Sequence, residues 1–197
     1  MDSLRTPLTC VPLFCLLAAA CVVPNAAPDW EAVRLELARR VAEEQDLRSN
    51  RPSGSPDHAW LERLEAVDAD NRAWLRALVD AHGWLTISRV GNEGAGDAWL
   101  LAQHADPDVD FQERCLEWMR AAVAIGEATP TNLAYLEDRV AVNRGRPQIY
   151  GTQFHEVDGE MVPRLLADPE RVDERRASVG LGPLEEYARL IRELSRK

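Results

Sequence analysis

The first side chains that could do chemistry lie in Gln103-His-Ala-Asp106, which brings together an amide, an imidazole and a carboxylate. A histidine beside a carboxylate can act as a general base or supply half of a metal site. His104 and Asp106 are therefore candidate catalytic residues, and Gln103 is a candidate ligand contact.

Each of these residues also has a structural interpretation. Asp106 can cap a helix that starts at Pro107. His104 suits the last turn of a helix, where the helix dipole favours a cation. A buried Gln103 would need only a hydrogen-bonding partner. The functional and the structural interpretations both stay open at the level of sequence.

A second polar stretch, Gln148-Ile-Tyr-Gly-Thr-Gln153, is strand-like and poor material for a core. In a strand, Gln148, Tyr150 and Thr152 would share one face and Gln153 would lie on the other. Their amides and hydroxyls suit recognition of a sugar or a peptide, so all four are candidate ligand contacts. Gly151 predicts a bulge or a close backbone approach. The alternative is an exposed hairpin face.

A third pair, Asp138-Arg139, lies in an amphipathic helical pattern. Arg139 could hold a carboxylate or phosphate bidentately, and we add Asp138 and Arg139 to the candidate ligand contacts. A salt bridge that fixes the hairpin is the alternative for this pair.

The elements that must position these residues are helical. Periodicity and caps predict a mainly α fold of six to seven helices, with one small β-hairpin near residues 147–163 that closes at Asp158-Gly159. We expect Asp106-Pro107, Thr129-Pro130 and Asp168-Pro169 each to start a helix. The remaining predicted caps are Asp29, Asp57 and either Asp68 or Asp70.

The N-terminus reads as an export signal. Arg5, an apolar run and Leu17-Ala-Ala-Ala-Cys21 are typical of a secretory signal peptide over residues 1–21, of lipoprotein type if Cys21 is lipidated. An uncleaved anchor or a misassigned start codon is the alternative. Residues 22–56 then form an N-terminal helix and linker, a stalk or peripheral arm, and residues 57–197 a single helical domain. The expected location is the periplasm or the outer face of the cell envelope.

Charge and motifs exclude several classes of function. A net charge of −10 argues against nucleic acid and against a basic membrane-binding face. The only lysine is Lys197, so no P-loop lysine or Schiff-base lysine is present. No H-E-x-x-H, CxxC or G-x-S-x-G motif occurs, and Cys115 lies among apolar residues. We predict no cofactor, no metal site, and membrane contact only through a lipid anchor.

The motifs together resemble an uncharacterised bacterial domain-of-unknown-function family with Q-H-A-D and Q-x-Y-G-T-Q signatures. The resemblance covers roughly residues 57–190. This sequence departs from the family pattern at Leu85, where the family has proline, and over residues 92–96. It implies a shared fold and a shared site, but no activity. The quoted motifs also include Asp68-x-x-Asn71, His82-Gly-Trp84, Phe111-Gln112, Leu136-x-Asp-Arg139 and Arg176-x-x-x-Gly-Leu181.

Three hypotheses on function follow. In the first, the domain binds a small polar ligand or cell-envelope fragment between the Gln103-His104 helix end and the Tyr150–Gln153 strand. In the second, it is a hydrolase or transferase in which His104 is a general base oriented by Asp106 or Asp138. In the third, it is a structural interaction protein of the envelope.

Overall fold

A computed structural model describes residues 27–52 and 57–195. The predicted signal peptide and Cys21 lie outside these residues. The fold is mainly α with one small antiparallel hairpin, as the sequence predicts. Its elements in order are α1 (Trp30–Ser49), α2 (His58–His82), α3 (Ile87–Gln103), α4 (Val109–Ala124), α5 (Pro130–Asn143), β1 (Phe154–Val157), β2 (Glu160–Pro163), a 3₁₀ turn (Pro169–Arg171), α6 (Val172–Ser178) and α7 (Leu184–Ser195).

Three predicted helix caps are confirmed. The Asp29 carboxylate accepts the backbone N–H of Glu31 at 3.0 Å, and the Asp57 carboxylate that of Ala59 at 3.0 Å. Thr129 Oγ1 accepts a backbone N–H at 3.3 Å, with Pro130 in the first turn of α5. Each cap satisfies a donor that has no partner inside its helix.

The other predicted caps do not form, although a 3₁₀ turn does begin at Pro169 and leads into α6. Helix α2 runs unbroken past Asp68 and Asp70, because Asp68 pairs with Arg48 of α1 instead of capping. Asp108, and not Asp106, caps α4 by accepting the N–H of Phe111 at 3.1 Å. Asp168 has a left-handed φ of 49° and makes no side-chain cap, and the 3₁₀ turn comes between it and α6.

Helix α3 lies at the centre and packs against α1, α2 and α5. It buries the small residues Ala98 and Ala102, which let neighbouring helices approach closely. Val33 and Leu37 of α1 are buried in the same apolar cluster as α3. The N-terminal helix is therefore part of the core and not a peripheral arm. None of the described helices is long and apolar enough to cross a membrane.

The hairpin pairs Phe154 with Pro163 and closes at Asp158-Gly159, where both residues have positive φ. This is the tight turn that Asp-Gly predicts. The prediction that the strand begins at Gln148 is wrong, because residues 148–153 form a loop. Gly151 has a φ of 71°, and a Cβ there would lie 2.8 Å from Leu184 Cδ1. Only glycine fits this turn, and the close backbone approach predicted for it is confirmed.

Candidate functional site around the end of helix α3

Neighbouring side chains at the end of α3 contact different helices. The Trp99 ring lies 5.9 Å from the Tyr135 ring of α5, and Gln103 follows Trp99 by one helical turn on the same side. The next residue, His104, turns toward α1, where its Nδ1 is hydrogen-bonded to the carboxylate of Glu44. Gln103 and His104 therefore belong to two separate interfaces.

His104 enters a charged network between α1, α2 and α3. Glu44 is fully buried and also accepts Arg48 Nε at 2.8 Å, while Arg48 Nη2 lies 2.9 Å from both oxygens of Asp68. Burial works to raise the pKa of Glu44, but the hydrogen bonds and charges of His104 and Arg48 outweigh it and hold that pKa below its usual value. Burial raises the pKa of Asp68, although Arg48 opposes the shift.

Asp68 also lines an open cavity of about 600 Å³ beside Pro107, at the end of α3. His104 Nε2 has no hydrogen-bond partner within the described ranges, and the imidazole is 17% exposed. The arrangement leaves one ring nitrogen of a carboxylate-held histidine available for proton transfer.

Asp106 does not contact His104. Its Oδ1 accepts Asn143 Nδ2 at 2.8 Å and Gln112 Nε2 at 3.2 Å, and it lies 3.6 Å from Arg139 Nε. The buried Gln112 also donates to the carbonyls of residues 102 and 103, which end α3. Asp106 thus ties the α3–α4 turn to α5.

Asp138 is buried and organises the 148–153 loop. Its carboxylate accepts the backbone N–H groups of Ile149 at 2.6 Å, Tyr150 at 3.0 Å and Thr152 at 2.9 Å, and also the Thr152 hydroxyl at 2.9 Å. Burial raises the pKa of this carboxyl, and the hydrogen bonds oppose the shift. The loop is therefore wrapped around one acceptor from α5.

Gln148 closes the same loop. Its Oε1 accepts the N–H of Gln153 at 2.8 Å, and its Nε2 donates to the carbonyls of Gln153 and Arg164, each at 2.9 Å. Gln153 Nε2 donates to Thr152 Oγ1 at 2.9 Å. The hydrogen-bonding atoms of Asp138, Gln148 and Thr152 are thus engaged within the protein, while Tyr150 is half-buried.

Three buried polar atoms on α3 and α5 lack a hydrogen-bond partner in the part of the chain that the structure describes: Trp99 Nε1, Gln103 Oε1 and Arg139 Nε, the last of which makes only the 3.6 Å ion pair with Asp106. Trp99 and Gln103 lie one turn apart on α3, and Tyr135 and Arg139 one turn apart on α5, with the Trp99 and Tyr135 rings in contact. We call these four residues the α3–α5 face. Each unpartnered atom costs about 1–3 kcal/mol unless something binds it.

Unpartnered buried atoms also occur elsewhere. Trp84 Nε1 is one, in the apolar core, and the others are Arg40 Nε, Glu44 Oε2 and Gln45 Nε2 on α1 and Asn71 Nδ2 on α2. The α3–α5 face differs because its unpartnered atoms lie beside a run of contacting aromatic rings, Trp99, Tyr135 and Tyr187, in which the Tyr187 ring lies 6.2 Å from that of Tyr135.

A family of unknown function (DUF6624) matches residues 37–195. The chain belongs to this family. No curated protein and no solved structure matches it. The family region begins inside α1 and so contains Glu44 and Arg48, which lie upstream of the Q-H-A-D and Q-x-Y-G-T-Q signatures.

Sequence reasoning missed Glu44, Arg48 and Tyr135. The available signals were spacings: Glu44 and Arg48 lie four residues apart on α1, beside the buried Leu47, and Tyr135 precedes Arg139 by one turn. The described residues contain no cluster of three or more His, Cys, Asp or Glu side chains that could hold a metal ion.

Proposed function

We propose that this chain is an exported domain that binds a small polar ligand or cell-envelope fragment at the α3–α5 face, beside the 148–153 loop. Export rests on the leader-like N-terminus. Mass spectrometry of the mature protein from its native host should find Cys21 as a modified first residue, and an intact Met1 would contradict export.

The observation that carries the proposal is the set of unpartnered buried atoms on this face. Trp99 Nε1 and Arg139 Nε are donors, and Gln103 Oε1 is an acceptor. A ligand that brings one acidic or carbonyl oxygen and one amide or hydroxyl donor would satisfy all three. Acidic N-acetylated sugars and short peptides have this chemistry.

The loop supports binding by being rigid before a ligand arrives. Asp138 and Gln148 hold its backbone at five points, so little conformational entropy is lost when Tyr150 or Gln153 meets a ligand. We therefore assign Asp138 and Gln148 to positioning the loop, and Gln103 and Arg139 to the ligand.

Replacing Gln103 by leucine tests the proposal, because the change removes a buried acceptor that has no partner. We expect Q103L to raise the free energy of unfolding by about 1 kcal/mol. We expect it also to weaken binding of N-acetylmuramic acid or D-alanyl-D-alanine by about tenfold, the loss of one buried hydrogen bond. Urea unfolding and titration calorimetry measure the two effects.

Gln112 is the matched control, because it is also a buried glutamine but is fully hydrogen-bonded. Q112L should lower the free energy of unfolding by about 3 kcal/mol, since it strands Asn143 and the last carbonyls of α3. Loss of stability in both variants, or fragment binding that survives both Q103L and Arg139→Gln, would contradict the proposed site.

A hydrolase or transferase is the second candidate function, and the Glu44–His104 contact is the observation that favours it. Glu44 would fix the tautomer and orientation of the ring, and His104 Nε2 would take a proton from water or from a substrate hydroxyl. In this candidate the orienting carboxylate is Glu44, and neither Asp106 nor Asp138 takes that role.

A further inference from the structure

A cavity of about 350 Å³ lies where α5 meets the turn between α6 and α7. Arg176, Arg189 and Glu186 contribute its charged groups, and Tyr135, Tyr187 and Leu190 are among its apolar walls. Leu190 is 48% exposed, so the apolar surface is open to solvent. A charged group and an apolar wall in one concave site are typical of a small-molecule pocket.

Arg176 is the unusual member of this cavity, because it is only 1% exposed and has no carboxylate within ion-pair distance among the described residues. Its Nε donates to the carbonyl of Gly182 at 2.6 Å and its Nη1 to that of Tyr150 at 2.7 Å. The guanidinium carbon lies 5.2 Å from the centre of the Tyr187 ring.

A buried cation that has only neutral partners is costly, and burial lowers the pKa of Arg176 accordingly. Its Nη2 makes no hydrogen bond to any residue that the structure describes, while the side chain lines the cavity. Asp173 and Asp138 act on Arg176 only from beyond ion-pair distance, so an anion in the cavity would supply both a counter-charge in direct contact and an acceptor for Nη2.

We propose that this cavity binds the acidic group of a small organic acid between Arg176 and Arg189, with the apolar body of the acid against Tyr135, Tyr187 and Leu190. With Glu186 at the same cavity, two arginines and one carboxylate leave a single net positive charge. This balance fits a monoanionic carboxylate better than a phosphate dianion.

The proposal does not rest on ligand binding at the α3–α5 face. The two sites share Tyr135, but Arg139 belongs only to the first and Arg176 only to the second. Arg189, like Arg176, lines only the second site, so changes at Arg139 and at Arg189 report on different sites.

The test titrates the ¹⁵N-labelled full chain with benzoate, phenylphosphate and inorganic phosphate, and follows the Nε–H resonance of Arg176 by NMR. We expect benzoate to shift this resonance in a saturable manner. Arg189→Gln should weaken benzoate binding by about threefold to fivefold, the effect of one exposed ion pair.

Arg192→Gln is the matched control, because Arg192 is on the same helix and pairs with Glu185 but does not line the cavity. It should change benzoate affinity by less than about twofold. Arg139→Gln should likewise leave benzoate binding within about twofold while it weakens binding of the envelope fragments. This difference separates failure of the present proposal from failure of the proposed function.

Tighter binding of phenylphosphate than of benzoate would contradict the preference for a monoanionic carboxylate. Three results would overturn the proposal: no shift of the Arg176 resonance through the millimolar range, equal effects of Arg189→Gln and Arg192→Gln, or inorganic phosphate binding as tightly as phenylphosphate. Arg176→Lys should abolish binding, and the comparison of Arg189 with Arg192 decides the matter if that variant does not fold.

Discussion

Replacing Asp138 by alanine is expected to lower the free energy of unfolding by about 4 kcal/mol. The change strands three backbone N–H groups of the 148–153 loop and the Thr152 hydroxyl, all of which bind this one carboxylate. Water cannot replace the lost acceptor easily, because Asp138 and Thr152 are buried.

Urea unfolding measures the loss, and amide hydrogen exchange locates it. Protection should disappear first at Ile149, Tyr150 and Thr152, while α1 and α2 keep theirs. Asp110→Ala is the control, because Asp110 is 87% exposed and pairs only on the surface with Arg144. The control should change stability by less than about 0.5 kcal/mol. A similar small effect for Asp138→Ala would show that the loop does not depend on its anchor.

Replacing Glu44 by glutamine is expected to lower the free energy of unfolding by about 3 kcal/mol at neutral pH. The amide removes the buried negative charge that faces both His104 and Arg48. The pKa of Glu44 is held below its ordinary value in the fold, so its stabilising contribution is present above the unfolded pKa of about 4.5. The contribution is lost as the pH falls through the lower, folded pKa.

The difference in stability between wild type and Glu44→Gln should therefore be full at pH 7 and shrink as the solution is acidified below about pH 4.5. Glu43→Gln is the control, since Glu43 is exposed on the same helix and pairs only with Arg39. A difference that stays constant down to strongly acidic pH would mean that the charge of Glu44 is not what stabilises the network.

The same network decides between the two proposed functions. If the domain is an enzyme, His104→Asn should reduce turnover of p-nitrophenyl acetate or of a purified cell-wall preparation by about 10²–10⁴-fold. Asp106→Asn should leave turnover unchanged, because Asp106 binds Gln112 and Asn143 and not His104. Equal loss in both variants would contradict the assignment of Glu44 as the orienting carboxylate, and absence of turnover in wild type would leave the binding domain as the better proposal.

The 148–153 loop and the surroundings of His104 differ in how many polar atoms remain free to bind a ligand. Around Asp138 the backbone N–H groups of residues 149, 150 and 152 all meet one acceptor, so Asp138 positions the loop. At the α3–α5 face and around His104 some polar atoms remain unpartnered within the described chain. Unfavourable local features of this kind are concentrated at functional sites, and for this reason both proposed functions are assigned to residues at the end of α3.

The sequence by itself determined the features that depend on interactions between residues close together in the chain. Asp29, Asp57 and Thr129 cap their helices through backbone groups two or three residues away, and Asp158-Gly159 closes its hairpin in place. These interactions are local, so composition and spacing predict them. The helical class and the position of the hairpin follow from the same short-range pattern.

Tertiary structure alone decided which partners the polar residues take. His104 binds Glu44, 60 residues away, because α1 packs on α3, and no local pattern records that contact. Asp138 turns the Gln148–Gln153 stretch from a strand into a loop by accepting its N–H groups, and this overrides the alternating pattern. Asp106, which suits a cap by its position before proline, is instead held by Gln112 and Asn143. Long-range hydrogen bonds to buried carboxylates outweigh local preference, and they define the candidate site.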